Sequence, residues 1–239
     1  MITSTFEISG LASLLKVRAN ADNAFTIYIG DSNSEQTLFQ VMSLAALLRG
    51  CEDFYDVVPA NNNITVFYDP IFIGYKQAKS RLESLLTNEA WLQECINDRN
   101  IVSVPVFYGG ELALDLVSLS KELKLELDEI IEIHSRVIYQ VTAVGFAPGF
   151  AYMDGVSERI RLPRKTTPRT FVPKGALAIA EGQTAIYPTD SPGGWHIIGH
   201  CPIPMFDLSS PDISRLSVGD RVKFQSVSQQ EYQSLLKQG

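Results

Sequence analysis

The chain has 239 residues, 45% of them hydrophobic and 20% charged, with a formal charge of −7 from 27 acidic and 20 basic side chains. This composition fits a folded globular protein of one large or two small domains and argues against a largely disordered chain. The acidic balance excludes general nucleic-acid binding, which depends on Lys and Arg neutralising phosphates. No run approaches the roughly 18 uninterrupted apolar residues of a membrane span.

In chain order, the first candidate strand is FTIYI (25–29), rich in aromatic and β-branched types. Ser32-x-x-Glu35 has the form of a capping box, and Leu38, Val41, Met42, Ala45 and Leu48 follow at helical spacing up to a stop at Gly50. VVPA (57–60) and ITVFY (64–68), on either side of an Asn-rich turn, read as a hairpin. A second helix is predicted from about Tyr75 toward Ile96, with Leu82, Leu85, Leu86 and Leu92 on one face. The order strand–helix–strand–strand–helix suggests a small α+β sandwich of ferredoxin-like type over residues 1–98.

After Arg99 the pattern changes. VSVPVFYGG (102–110) looks like a strand closed by a glycine turn, and 111–132 reads as one or two acidic, solvent-facing helices. Residues 144–211 hold nine of the twelve prolines and eight of the sixteen glycines, between short β-like runs at 176–180, 184–188 and 195–199. Short strands joined by Pro/Gly turns predict a compact barrel or sandwich with functional loops over residues 99–239.

Several common catalytic motifs are absent: there is no G-x-x-x-x-G-K-[ST] phosphate loop, no G-x-G-x-x-G, no H-E-x-x-H and no G-x-S-x-G. Cys51, Cys95 and Cys201 are odd in number and form no C-x-x-C pair, which predicts free thiols, no zinc site and a reducing cytoplasm. The opening MITSTFEISGLASLLKVRA lacks a basic n-region, so no signal peptide is expected. His196 and His200 lie four apart in a β-like run and need not share a face, so no metal site is expected. His134 ends the acidic helix, where a charged imidazole would suit the helix dipole; a capping role is its default and catalysis the lesser reading.

Three segments stand out. GFAPGFAY (145–152) joins permissive glycines to Phe146, Phe150 and Tyr152, either a turn whose aromatics plug the core or the rim of a small-molecule pocket. Residues 159–174 then carry six basic side chains among prolines. Arg164 and Arg169, each beside a proline, are the anion-binding candidates, because a planar guanidinium grips carboxylate or phosphate in two parallel hydrogen bonds. In SPGGW (191–195), Gly193 and Gly194 can present backbone amides to an oxyanion, and Trp195 can stack on a ring or anchor the turn.

GFAPGFAYM (145–153), LPRKTTPRTFVPKGALAIAEGQTAIYP (162–188) and SPGGWHIIGHCP (191–202) closely resemble the allophanate hydrolase subunit 1 family. That family takes in the B subunit of ATP-dependent 5-oxoprolinase and an inhibitor of a sporulation histidine kinase. The resemblance covers nearly the whole chain, although ELALD (111–115) stands where the family more usually has Gly-Pro-Asp-Leu. It implies an N-terminal ferredoxin-like domain and a C-terminal cyclophilin-like β-barrel. It also implies work with two other oxoprolinase-type subunits, ATP used by the complex, and a small amide substrate, 5-oxoproline, opened to glutamate. Its alternatives are a regulator docked on a histidine kinase and a carboxyltransferase-like module of an allophanate hydrolase or urea amidolyase. For such a substrate Arg164, Arg169, Gln183, the amides of Gly193 and Gly194, and the aromatics Phe146, Phe150, Tyr187 and Trp195 supply suitable donors and walls, with His134 the weak catalytic candidate.

Overall fold

Thr26 to Ile29 of the FTIYI run lie in the middle of an antiparallel sheet, as their β-branched and aromatic character leads one to expect. The computed structural model describes residues 5–7, 15–31, 34–87, 89–92 and 101–237, and the chain divides into two units, Met1–Asp98 and Arg99–Gly239. In the first unit, strands β1 (Thr5–Glu7), β2 (Leu15–Ala21), β3 (Ala24–Ile29), β4 (Asp56–Ala60) and β5 (Asn63–Phe67) form one sheet in the order β1-β2-β3-β5-β4. Helices α1 (Glu35–Arg49) and α2 (Tyr75–Leu86) contribute Val41, Leu44, Leu48, Leu82 and Leu86 to a core shared with Leu15, Val17, Phe25, Ile27, Ile64 and Val66. Each such side chain contributes about 1.5–3 kcal/mol by leaving water.

The cap of α1 is Ser34, whose Oγ accepts from the Thr37 amide at 3.0 Å; Ser32 of the expected capping box lies outside the described residues. Helix α2 stops at Leu86, and a short 3-10 turn at Glu89–Leu92 carries the buried Trp91, whose indole donates to the Leu86 carbonyl at 3.4 Å. Residues 93–96, over which the sequence continues the helix, and Cys95 among them, lie outside the described residues.

The second unit is a seven-stranded sheet made of β6 (Ile101–Val106), β7 (Ile138–Val144), β8 (Ala151–Asp154), β10 (Ala176–Ala180), β11 (Gln183–Ile186), β13 (His196–His200) and β14 (Arg221–Ser226), in the order β13-β10-β11-β8-β7-β14-β6. The sheet curls until its two edges meet: Phe107, just past β6, and His200 on β13 exchange both backbone hydrogen bonds at 2.9 Å. Val104, Val106, Tyr139, Val141, Met153, Leu177, Ile179, Ile186, Ile198 and Phe224 fill the interior. A two-stranded ribbon, β9 (Arg169–Val172) with β12 (Ser191–Gly193), stands apart from the main sheet.

The acidic stretch forms two helices, α3 (Leu116–Leu123) and α4 (Leu127–Arg136), which face solvent on one side only: Leu116, Leu119, Ile130 and His134 are buried. A last helix, α5 (Gln229–Leu236), sets Tyr232 against the seam, its hydroxyl 3.0 Å from His200 Nδ1 and its ring 5.3 Å from that of Phe107.

Candidate functional site

Strand β10 is buried on both faces because its side chains differ by face. Leu177 and Ile179 belong to the barrel core, whereas Ala176, Ala178 and Ala180 belong to a second cluster with Phe150, Tyr187 and Trp195. Alanines leave room for large rings, and the second cluster is built of them. Phe150, 2% exposed, meets Tyr187 edge-on at 5.3 Å and Trp195 at 5.9 Å, and its ring lies 4.8 Å from Tyr152. Phe146 continues the row edge-to-face, 5.2 Å from Phe150, with its own ring 62% exposed. The backbone of Phe146 sits at φ +72°, a conformation that an aromatic residue adopts only under strain.

The basic loop borders this cluster. Arg164 is exposed, and its guanidinium lies 5.8 Å from the Trp195 ring centroid, within cation–π range. Arg169 is held differently: Nη1 and Nη2 donate to Asp115 at 2.8 and 2.7 Å, a bidentate pair. Lys165 reaches the same carboxylate at 2.9 Å, and the Ile197 amide donates to it at 2.7 Å. Burial pushes the Asp115 carboxyl up, but the bonds from Arg169, Lys165 and Ile197 outweigh it and hold it below the ordinary carboxylate range.

Gly193 is the register partner of Arg169 across β9 and β12. A Cβ at Gly193 would stand 2.2 Å from Tyr187 Oη, so only glycine lets that ring lie where it does. The Gly194 carbonyl accepts from the Lys165 amide at 2.8 Å. Burial raises the Tyr187 phenol, opposed by the charge of Arg164, a backbone hydrogen bond at Trp195 and the charge of Arg169. The structure therefore brings together Arg164, Arg169, Gly193, Gly194, Phe146, Phe150, Tyr187 and Trp195.

Gln183 and His134 fall elsewhere. Gln183 begins β11 and Tyr187 follows its end, a separation of about 13 Å at the rise of a strand. The Gln183 amide instead donates to Asp154 at 2.6 Å. The capping role expected of His134 is corrected by its position: α4 turns this residue inward, and its ring is wholly buried against Tyr108, Tyr139 and Phe224. Burial pushes its pKa down to about 3, so the imidazole is neutral. Its partners settle the tautomer. Thr184 spends its hydroxyl proton on the Ala178 carbonyl at 3.1 Å, so it accepts from His134 Nε2–H at 3.1 Å, and Tyr108 donates to Nδ1 at 2.8 Å. A neutral, fully partnered ring in the barrel core is structural.

His196 and His200 hold the Pro163 and Lys174 carbonyls, each through Nε2, at 2.8 and 2.9 Å. A separate recess of about 270 Å³ is lined by Lys174, Pro188, His200, Cys201, Met205 and Leu236, and shares Tyr187 with the aromatic cluster.

Sequence reasoning passed over Asp115 and counted Lys165 only as one of six basic side chains on its loop. Asp115 stands between an apolar run and α3, where an aspartate reads as a helix start. Its ion pairs span 50 and 54 residues, a separation that no local pattern reveals. Phe150, Tyr187 and Trp195, 2, 2 and 5% exposed, pack on one another as core, so what the cluster leaves to a small anionic molecule is the exposed Phe146 ring and the Arg164 guanidinium at its border.

The family model for the carboxyltransferase domain, subdomain C and D, matches residues 15–216. A Bacillus subtilis (strain 168) protein, named as the B subunit of 5-oxoprolinase, is 37% identical over 222 residues, covering 88% of this chain and 92% of that protein. The solved structure of TTHA0988 has a TM-score of 0.76 at 33% identity over 86% of this chain, which spans 40% of that longer chain. The Kluyveromyces lactis urea carboxylase shares the fold at a TM-score of 0.72 and 17% identity, with this chain equivalent to 24% of it.

Proposed function

The chain belongs to the carboxyltransferase C/D-domain family together with the B subunit of 5-oxoprolinase, and from that premise we propose that it is the B subunit of an ATP-dependent 5-oxoprolinase. The observation that carries this reading is its 37% identity to the Bacillus subtilis protein of that name across 92% of its length. The site supports it chemically. The substrate is a small lactam bearing one carboxylate, and the buried rings of Phe150, Tyr187 and Trp195 back a surface that presents the exposed Phe146 ring and the Arg164 guanidinium.

Opening a lactam adds water across the amide C–N bond, and the amide is a poor electrophile. ATP, used by the complex, would supply a phosphoryl group to the lactam oxygen and so make the ring carbon a better electrophile. Water adds there, the C–N bond breaks as the nitrogen takes a proton, and a second water releases phosphate from the acyl phosphate to leave glutamate. This chain's residues bind and orient: the exposed Phe146 ring covers a face of the lactam, and Arg164 meets the carboxylate or the developing charge. On the same reading the first unit is ferredoxin-like, with β2 on the outer side of β3, and the curled seven-stranded sheet is a cyclophilin-like barrel. The complex contains two further subunits and works in the cytoplasm.

The test compares 5-oxoproline with 2-pyrrolidinone, the same lactam without its carboxylate, in the reconstituted complex. Selective turnover of 5-oxoproline, reduced about ten- to a hundredfold in kcat/KM by Arg164→Ala, is expected. Equal turnover of the two lactams would refute a carboxylate-directed site.

A further inference from the structure

Charge balance around Asp115 exposes a second anion contact. Its carboxylate is saturated: Oδ1 accepts from Lys165 Nζ at 2.9 Å and Arg169 Nη2 at 2.7 Å, and Oδ2 from Arg169 Nη1 at 2.8 Å and the Ile197 amide at 2.7 Å. One negative charge thus faces two positive ones. Among the described residues Asp115 is the ion-pair partner of both cations, so the triad keeps a net charge of +1. The carboxylate side chain is 3% exposed, that of Lys165 27% and that of Arg169 25%. A positive excess in a partly dewatered place is costly unless an anion meets it.

Lys165 is the group able to do so. An ammonium has three donors and Asp115 takes one, leaving two to turn toward a ligand. Its backbone is fixed by the bond from its amide to the Gly194 carbonyl at 2.8 Å, and its chain neighbour Arg164 lies over Trp195. We propose that Lys165 is a further substrate-binding residue that seats the carboxylate of a small cyclic amide acid, and that Asp115 is the positioning residue that holds it there. This inference rests on the lactam reading given above.

The experiment measures KM and kcat for 5-oxoproline in the reconstituted complex, after the melting temperature of each variant has been recorded. Lys165→Met is expected to raise KM about ten- to a hundredfold, with kcat within about threefold of the parent and most of the loss recovered by Lys165→Arg. Asp115→Asn raises the charge of the seat while loosening it. It should raise KM and strengthen competitive inhibition by inorganic phosphate, so that the ratio of phosphate Ki to KM falls severalfold. A parental KM in a folded Lys165→Met complex overturns the seat. An Asp115→Asn complex that merely melts lower, with that ratio unchanged, overturns the positioning role. If the parent complex does not open 5-oxoproline at all, the lactam reading fails, and the seat is judged by titrating acetate into the full chain while following Trp195 fluorescence in a Trp91→Phe background. Acetate binding that Lys165→Met abolishes upholds the anion seat, and no binding by the parent overturns it.

Discussion

The buried imidazole of His134 makes the stability of the barrel unit depend on pH in a defined window. In the unfolded chain the ring titrates near its ordinary value of 6.5; in the folded barrel burial depresses it to about 3. Between those values the unfolded state binds one more proton, so stability rises with pH and is lost as pH falls. The slope is about 1.4 kcal/mol per pH unit for one proton, and the full window amounts to on the order of 5 kcal/mol. Asp115 acts in the same direction but lower, because its depressed carboxyl loses its contribution only below about pH 3.8. His200, also depressed by burial, adds to the parent's slope but is common to parent and variant. The perturbation is His134→Gln, whose amide can still donate to Thr184 and accept from Tyr108 but does not titrate. Urea unfolding from pH 4.5 to 7.5, followed by Trp195 in a Trp91→Phe background, reads the barrel unit. The variant should start less stable and lose stability with falling pH by about 1.4 kcal/mol per unit less than the parent below pH 6. Parallel slopes in parent and variant would refute the buried neutral ring.

Gly193→Ala drives a methyl to 2.2 Å from Tyr187 Oη, whose ring is boxed in by Phe150, and should cost about 1–3 kcal/mol in urea unfolding. Gly194→Ala meets Pro168 and the Lys165 carbonyl at 3.6 and 3.7 Å, ordinary contact, and should stay within about 0.5 kcal/mol of the parent. At Phe146 the left-handed backbone inverts the usual order of small residues. Phe146→Gly relieves the strain that Phe146→Ala retains and should be the more stable of the two by about 1 kcal/mol in the same assay. Ellman titration should find Cys51 and Cys201 unreactive in the folded protein, since both are buried and burial pushes the Cys201 thiol up to about 11.

Periodicity and punctuation carried the architecture. The FTIYI run, the helical stripe ending at Leu48 and the short runs around 176–200 all fall on strands and helices of the structure, because spacing alone tells them apart. The cap of α1 differs from the expected one because Ser32 and Ser34 both offer a hydroxyl, and it is Ser34 that meets the Thr37 amide. The aromatic and arginine members of the site were legible because glycine and proline concentrate around them. What stayed hidden depends on which faces meet. His134 lies four residues after the buried Ile130, on the same face of α4, a spacing that the capping reading did not use. Nothing near Asp115 says that it gathers Lys165 and Arg169 from beyond two helices and two strands. Gln183 was a candidate because the family resemblance called for donors to the substrate, but the length of β11 separates it from Tyr187.

The central claim is that this chain is a necessary subunit of a 5-oxoprolinase, and the most direct test is an omission experiment. The chain and the two partner subunits proposed for it are purified separately, mixed in every combination, and assayed for ATP-dependent release of glutamate from 5-oxoproline. Glutamate should form only when this chain is present with both partners, and the chain alone should release none. Full turnover by the partners without it, or no turnover by the complete mixture, would contradict the account.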